Sequence, residues 1–212
     1  MTRRAHSRDR YGARAARSYR SLIDPLLVRL RLRIVRVCRE LGAKDILDIA
    51  CATGAQCRAL GRAGFHATGL DLSEAMIAAA RKSKGRNVRY VQGSAYELPF
   101  DALGFDAAVL SLALHEHTES EREVMVAEAL RALRPDGHLI LADYTRPRHP
   151  PVHIAWQLIR LVEWIAGPEH NAGFRDYVGR GDLAGLIDRM DLDLAEMRLS
   201  HFGAIGIAVV RP

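Results

Sequence analysis

Between Ile46 and Ala142 the chain switches hydrophobic period repeatedly, and that alternation limits its possible folds more than any other feature. Ile46-Leu47-Ile49, Phe65–Leu70, Val88–Val91, Phe105–Leu112 and His138–Ala142 are short apolar runs of strand length. Helically spaced segments separate them. One begins near Gln56, with Cys57 and Leu60; one follows Ser73, an N-cap, and carries Met76, Ile77, Ala79 and Ala80; a third runs from about Glu119 to Leu133. Strands separated in this way pair through crossover connections, which predicts a mostly parallel sheet with helices on both faces. Phe105–Leu112 is apolar at nearly every position and is expected at the sheet's centre. Arg134-Pro135-Asp136-Gly137 reads as a turn.

Outside this core, Leu22–Leu41 has apolar residues at Leu22, Leu26, Leu30, Ile34, Val37 and Leu41, a helical stripe that Gly42 ends. After Asp143 the alternation breaks. Arg146–Pro151 is a stiff linker, and Ile154–Ile165 is an amphipathic helix with Trp156 and Trp164. Glu169–Arg175 is polar and irregular, Leu183–Met190 is a short helix, and Leu192–Leu199 with Ile205–Val210 form a closing antiparallel hairpin. The expected organisation is a basic segment at 1–41, a core at 42–146, a helical lid at 147–190 and completing strands at 191–212.

Apolar residues make up 49% of the chain and charged residues 26%, the balance of a globular soluble protein. No apolar run approaches the ~18 residues of a spanning helix, and the arginine-rich start lacks the apolar core of a secretory signal. The net charge of +6 is concentrated in residues 1–39. That segment is read as a solvated tail and helix face, with weak membrane-surface contact through residues 17–39 as the sharper alternative. Few aromatics interleave with it, so a nucleic-acid platform is not expected. Cys38, Cys51 and Cys57 form no CxxC pair, which argues for a reducing, cytoplasmic setting and against a structural metal site.

Ligands of such sheets sit beyond the carboxyl ends of the strands. Asp48, Asp71, Ser94, Ser111 and His115 all fall there. Strand 1 runs into Ala50-Cys51-Ala52-Thr53-Gly54, where side-chain bulk nearly vanishes, as it does where a ligand or backbone approaches closely. An acid at the place of Asp71 can accept from ribose hydroxyls. The turn lacks GxGxxG and the lysine of a phosphate loop, so dinucleotides and nucleoside triphosphates are disfavoured. A nucleoside carrying a sulfonium and an amino acid fits, with Asp48 near its ammonium.

Ile46–Gly54, Gly69-Leu70-Asp71-Leu72-Ser73-Glu74-Ala75-Met76, Glu97-Leu98-Pro99-Phe100, Phe105-Asp106 and Leu130–Leu139 resemble, in order, the motifs of class I S-adenosylmethionine-dependent methyltransferases. Among these the chain is most similar to small-molecule enzymes of the ubiquinone/menaquinone-biosynthesis kind. The resemblance implies a Rossmann-like, seven-stranded sheet and S-adenosyl-L-methionine as cofactor, with S-adenosyl-L-homocysteine as product. It implies that Asp48, Ala50 and Gly54 line the methionine end, that Asp71 holds the ribose diol and that Leu72 flanks the adenine. Ser94 and Ala95 would meet the adenine edge, with Ser111 near the cofactor's centre. The chain departs from the family at Ala52, usually glycine, and at Ser94, usually aspartate.

Methyl transfer is chiefly positioning, and a base helps when the acceptor is a hydroxyl or an acidic carbon. His115 and His117, just past strand 4, are the candidate bases. His149, His153, Trp156, His170 and Arg175 are candidate contacts to a small apolar or amphiphilic acceptor. No metal is expected. The alternatives are a membrane-surface enzyme acting on lipid head groups and a cofactor-binding protein without catalysis.

Overall fold

The computed structural model describes residues 24–83, 85–146, 156–157, 159–160 and 168–212. After a helical turn at Asp24–Leu26 come α1 Val28–Glu40, β1 Asp45–Ile49, α2 Ala55–Arg62, β2 His66–Asp71, α3 Glu74–Arg81 and β3 Val88–Gln92. Then follow β4 Phe105–Ser111, a 3-10 turn Leu114–Glu116, α4 Glu119–Arg131, β5 Leu133–Tyr144, α5 Pro168–Gly179, α6 Asp182–Arg189, β6 Asp193–Ser200 and β7 Ile205–Arg211. The strands form one sheet in the order β3-β2-β1-β4-β5-β7-β6, with β4 at its middle as its apolar run implied. The first five strands pair in parallel, and β7 runs antiparallel to both β5 and β6.

Period-2 alternation sends neighbouring residues into two cores. Leu47, Ala108, Leu110, Leu139 and Leu141 face one side, where Met125, Val126 and Ala129 of α4 and Leu183, Leu186 and Ile187 of α6 cover them. Ile46, Ala107, Val109 and Ile140 face the other, under Leu30, Ile34 and Val37 of α1, Cys57 and Leu60 of α2 and Ile77 of α3. Each buried aliphatic side chain contributes about 1.5–3 kcal/mol, so this double covering, and not helix propensity, holds the layers together.

Three local expectations are corrected. The helix expected over Leu22–Leu41 is interrupted at Leu27 (φ −93°, ψ 5°), and Leu26, placed on the apolar stripe, is 69% exposed. Arg134–Gly137 is folded into β5 as a bulge: Leu133 pairs with Phe105 and His138 with Ala107, so the intervening residues oppose Asp106 alone. The guanidinium of Arg134 holds Asp106 and Asp45 there. The polar stretch expected to be irregular, Glu169–Arg175, lies in α5. Burial of Phe174 and Tyr177 overrides its weak helical pattern. Of the expected helix Ile154–Ile165, residues 156–157 and 159–160 are helical and the rest lie outside the described residues, as do residues 1–23.

Candidate active site

The strand order reverses between β1 and β4, the switch point at which such sheets bind ligands. β1 ends there in a turn with left-handed backbone at Ala50 (φ 58°), Ala52 (φ 47°) and Gly54 (φ 73°). For alanine that conformation costs about 1–2 kcal/mol, so the surrounding bonds must enforce it. The Cys51 amide donates to Leu70 O at 2.9 Å, the Ala52 amide to Asp71 Oδ2 at 2.8 Å and the Gly54 amide to Cys51 O at 2.9 Å. Gly54 also admits the Tyr90 ring, which a Cβ would meet at 2.4 Å, while Tyr90 Oη donates to Gly54 O. α2 starts immediately after Gly54.

Asp71 Oδ1 accepts from the Ser73 amide at 2.9 Å, so this carboxylate ties the turn to the start of α3. A carboxylate has about four acceptor directions, so these bonds aim it and are compatible with a diol. Asp48 is buried beneath the turn and accepts from Cys57 Sγ at 3.0 Å. Burial raises its pKa to about 7, against the opposing pull of the Cys57 hydrogen bond and Arg31. Asp48, Ala50, Ala52, Gln56 and Ser111 line a cleft together with Asp24 and Arg31. Gln56 is 6% exposed, yet neither polar atom of its carboxamide has a hydrogen-bond partner, the one such side chain among the described residues. An unsatisfied buried amide costs about 1–3 kcal/mol, the kind of debt that a bound ligand removes. A larger hollow, about 520 Å³, lies among Asp45, His66, Thr68, Asn87 and Arg89. It is at the amino ends of the strands, away from the switch point.

Ser94 and Ala95 follow β3 and are half-buried. The Ser94 hydroxyl accepts from the Tyr96 amide at 3.1 Å, a local turn bond that leaves its proton to donate outward. The Leu72 carbonyl accepts from Gln92 Nε2 at 3.2 Å, fixing the loop after β2.

On the β4–β5 side the 3-10 turn Leu114–Glu116 carries His115, 3% exposed. Asp143, at the carboxyl end of β5 and fully buried, accepts the His115 Nδ1 proton at 2.8 Å and the Leu114 amide at 2.9 Å. In the neutral imidazole that bond leaves the basic lone pair on Nε2, which lies 4.0 Å from Glu116 Oε1. The rings of Tyr144 (4.6 Å between centroids) and Phe174 (6.4 Å) pack on His115, and Trp156 closes against both, 6.4 Å from Tyr144 and 5.8 Å from Phe174. His117 sits apart from this group: its Nδ1 bonds Tyr96 Oη at 2.8 Å.

α5 reaches His115 because Gly173 lies flat against the 3-10 turn, where a Cβ would meet Glu116 O at 2.8 Å. Arg122, fully buried, clamps the same junction. Its guanidinium donates to Leu114 O, Gly173 O, Glu119 and Asp176 and stacks over Tyr177. Each of its three nitrogens has a partner, as a buried cation requires.

The structure thus gathers Asp48, Ala50, Gly54, Asp71 and Ser111 at one end of the site, and His115 and Trp156 at the other. Arg175 points from α5 into solvent. His149 and His153 lie outside the described residues, as does the side chain of His170. Asp143, Tyr144, Phe174, Gln56, Asp24 and Arg31 were not singled out from the sequence as site residues. Asp143 alone carried a usable signal, an acid at a strand's carboxyl end like Asp48 and Asp71.

Residues 46–137 match the family model described as a methyltransferase domain. Over 130 residues the chain is 31% identical to a demethylmenaquinone methyltransferase of Clavibacter sepedonicus, covering 60% of this chain and 52% of that one. The chain therefore spans about half the length of that relative. A crystal structure of the PH0226 protein from Pyrococcus horikoshii superposes with a TM-score of 0.64 at 22% identity, over 93% of this chain and 91% of that one. An O-methyltransferase from neocarzinostatin biosynthesis, solved with S-adenosyl-L-homocysteine and 1,4-dihydroxy-2-naphthoic acid, shares the fold at TM-score 0.67 and 17% identity, over 94% and 58%. Residues 46–137 form a methyltransferase domain of the class I, S-adenosylmethionine-dependent kind.

Proposed function

We propose that the chain transfers a methyl group to a hydroxylated aromatic acceptor, such as a quinol, with His115 as general base. The observation that carries this reading is the buried His115–Asp143 pair, 2.8 Å apart and walled by Tyr144, Phe174 and Trp156. Planar rings prefer aromatic walls, and a base aimed by a carboxylate suits an acceptor that must lose a proton. The demethylmenaquinone methyltransferase relative is named for a quinone, which favours the same acceptor class.

The residues present fit the cofactor. Gln56 has carboxamide atoms to satisfy, Gly54 keeps the turn free of bulk, and Asp48 offers a buried carboxylate. S-adenosylmethionine supplies an electrophilic methyl on its sulfonium. In the proposed assignment Asp48, Ala50 and Gly54 hold its amino-acid end, Asp71 the ribose, Leu72, Ser94 and Ala95 the adenine, and Ser111 the centre. His115 Nε2 accepts the acceptor's proton as the oxygen or ring carbon attacks. Asp143 stabilises the resulting imidazolium, as a buried carboxylate does for a neighbouring histidine. Asp143 is a positioning residue in this scheme, and His117 anchors Tyr96. The chain divides, in this proposal, into a basic segment at 1–41, a cofactor core at 42–146, a helical lid insert at 147–190 and completing strands at 191–212. Three buried, unpaired cysteines support a cytoplasmic setting. Among the described residues no helix is long and apolar enough to cross a membrane.

The test is methyl transfer from labelled S-adenosylmethionine to 1,4-dihydroxy-2-naphthoic acid and to a reduced naphthoquinone, alongside calorimetry with S-adenosylhomocysteine. Tight product binding with methylation of a hydroxylated ring is expected. Methylation only of aliphatic amines or lipid head groups would overturn the acceptor assignment.

A further inference from the structure

The amino-acid end of the cleft contains an arrangement that the motif residues do not explain. Asp24, just before α1, projects its carboxylate into the cleft that Asp48, Ala50 and Ser111 line. Its Oδ1 accepts from Arg31 Nη2 at 2.7 Å and its Oδ2 from Thr53 Oγ1 at 2.9 Å. Both side chains of the ion pair are only 12% exposed, and Thr53, within the cofactor turn, is 1% exposed. The unpartnered carboxamide of Gln56 lines the same space. The Arg31 and Thr53 donors are already taken by the Asp24 carboxylate, so a second carboxylate on them must displace it.

We propose that Arg31, Thr53 and Gln56 form the seat for the α-carboxylate of the cofactor's methionine end, and that Asp24 holds this seat as an internal stand-in until the ligand replaces it. The inference rests on the S-adenosylmethionine reading above and deepens it. A side-chain carboxylate and an α-carboxylate are the same group to a guanidinium, which pairs with either through charge-assisted hydrogen bonds. The exchange therefore conserves the ion pair instead of breaking it. Gln56 gains a partner for its buried amide in the ligand-bound state only. The zwitterion's two charges then both find counterparts, the carboxylate at Arg31 and the ammonium toward Asp48.

Asp24 sits on a helical turn three residues long, separated from α1 by the break at Leu27. Leu26 beside it is 69% exposed, so few apolar contacts hold the turn. Its release also exchanges the hydrogen bonds of Arg31 to the Asp24 carbonyl and of His201 to the Leu26 carbonyl for bonds to water.

The test is calorimetry of the full chain with two probes, S-adenosylhomocysteine and adenosine, which lacks the amino-acid arm. The readout is the ratio of the two affinities within each variant, which a partly unfolded sample leaves unchanged. Asp24→Asn should tighten S-adenosylhomocysteine binding at least threefold and leave adenosine unchanged. Arg31→Gln and Gln56→Ala should weaken S-adenosylhomocysteine at least tenfold and threefold, again without moving adenosine, and Arg31→Lys should recover part of the loss. Weaker S-adenosylhomocysteine binding by Asp24→Asn would overturn the stand-in role and make Asp24 a ligand for the ammonium. An Arg31→Gln ratio equal to that of the wild type would overturn the seat. Wild-type protein that binds neither probe would overturn the cofactor reading itself, and this inference with it.

Discussion

The two ends of the site are built by different means. The cofactor end is nearly continuous in sequence: Asp48, Ala50, Ala52, Gly54 and Gln56 span one strand end, one turn and one helix start. Asp71 lies one strand away and reaches back to the Ala52 amide. The end proposed for the acceptor is assembled from four separate places: His115 on a 3-10 turn, Asp143 and Tyr144 on β5, Trp156, and Phe174 on α5. Local backbone geometry shapes the first end. Long-range packing shapes the second, with Arg122 and Gly173 as its fasteners. A turn that follows from local sequence can be shared across many enzymes, while the packed end can change with each acceptor.

Substitutions can break this division between a binding end and a reacting end. The largest effect is expected from His115→Gln, which keeps the ring's approximate size but removes the base. Turnover should fall by about 10²–10⁴-fold while calorimetry gives an unchanged affinity for S-adenosylhomocysteine. Equal loss of both would merge the two ends into one unit. Asp143→Asn should lower turnover in the same assay too, since the imidazole loses its fixed tautomer and the carboxylate that stabilises its imidazolium.

Next is Asp71→Ala, which should weaken cofactor binding at least tenfold, with residual turnover at saturating cofactor. Because Asp71 also holds the Ala52 and Ser73 amides, a lower melting temperature of the ligand-free variant is expected beside the affinity change.

A smaller effect should come from Asp48. Burial raises its pKa from the ordinary 3.8 to about 7, so the folded state holds its proton more tightly. That stabilisation is fully present below pH 4 and is lost as pH rises through 7. Between pH 5 and 8 the ligand-free protein should lose up to about 3 kcal/mol relative to Asp48→Asn, measured by denaturant unfolding of both. A cationic ligand favours the ionised carboxylate, so cofactor affinity should rise over the same range. Parallel stability profiles for wild type and Asp48→Asn would remove Asp48 from this role.

The smallest change is expected from Ala52→Gly. The left-handed backbone at φ 47° would be relieved, raising stability by about 0.5–1 kcal/mol net of glycine's added chain entropy. A lower melting temperature instead would mean that the alanine methyl packs usefully in the turn.

Much of this division was legible in the residues. The seven strands, the central place of β4 and the closing hairpin follow from short apolar runs of strand length, and β4 is central because a strand covered on both faces is apolar at nearly every position. The left-handed turn was visible as a stretch of small residues. Other features were hidden. Glu169–Arg175 looked irregular because its sequence is polar, while the helix it forms depends on Phe174, Tyr177 and Gly173 meeting other elements. The bulge at Arg134–Gly137 depends on ion pairs to Asp45 and Asp106, which are remote in the chain.

By itself the sequence determined the parallel sheet, the switch-point turn and the acids at the strand ends. These depend on backbone sterics, side-chain period and residues close together in the chain. Only the tertiary structure decided that His115 meets Asp143, that Trp156 and Phe174 wall the same space, and that Asp24 reaches Arg31 and Thr53. Those contacts join residues on different elements. Hydrogen bonding and burial reward them only once the layers have packed, so no local pattern announces them.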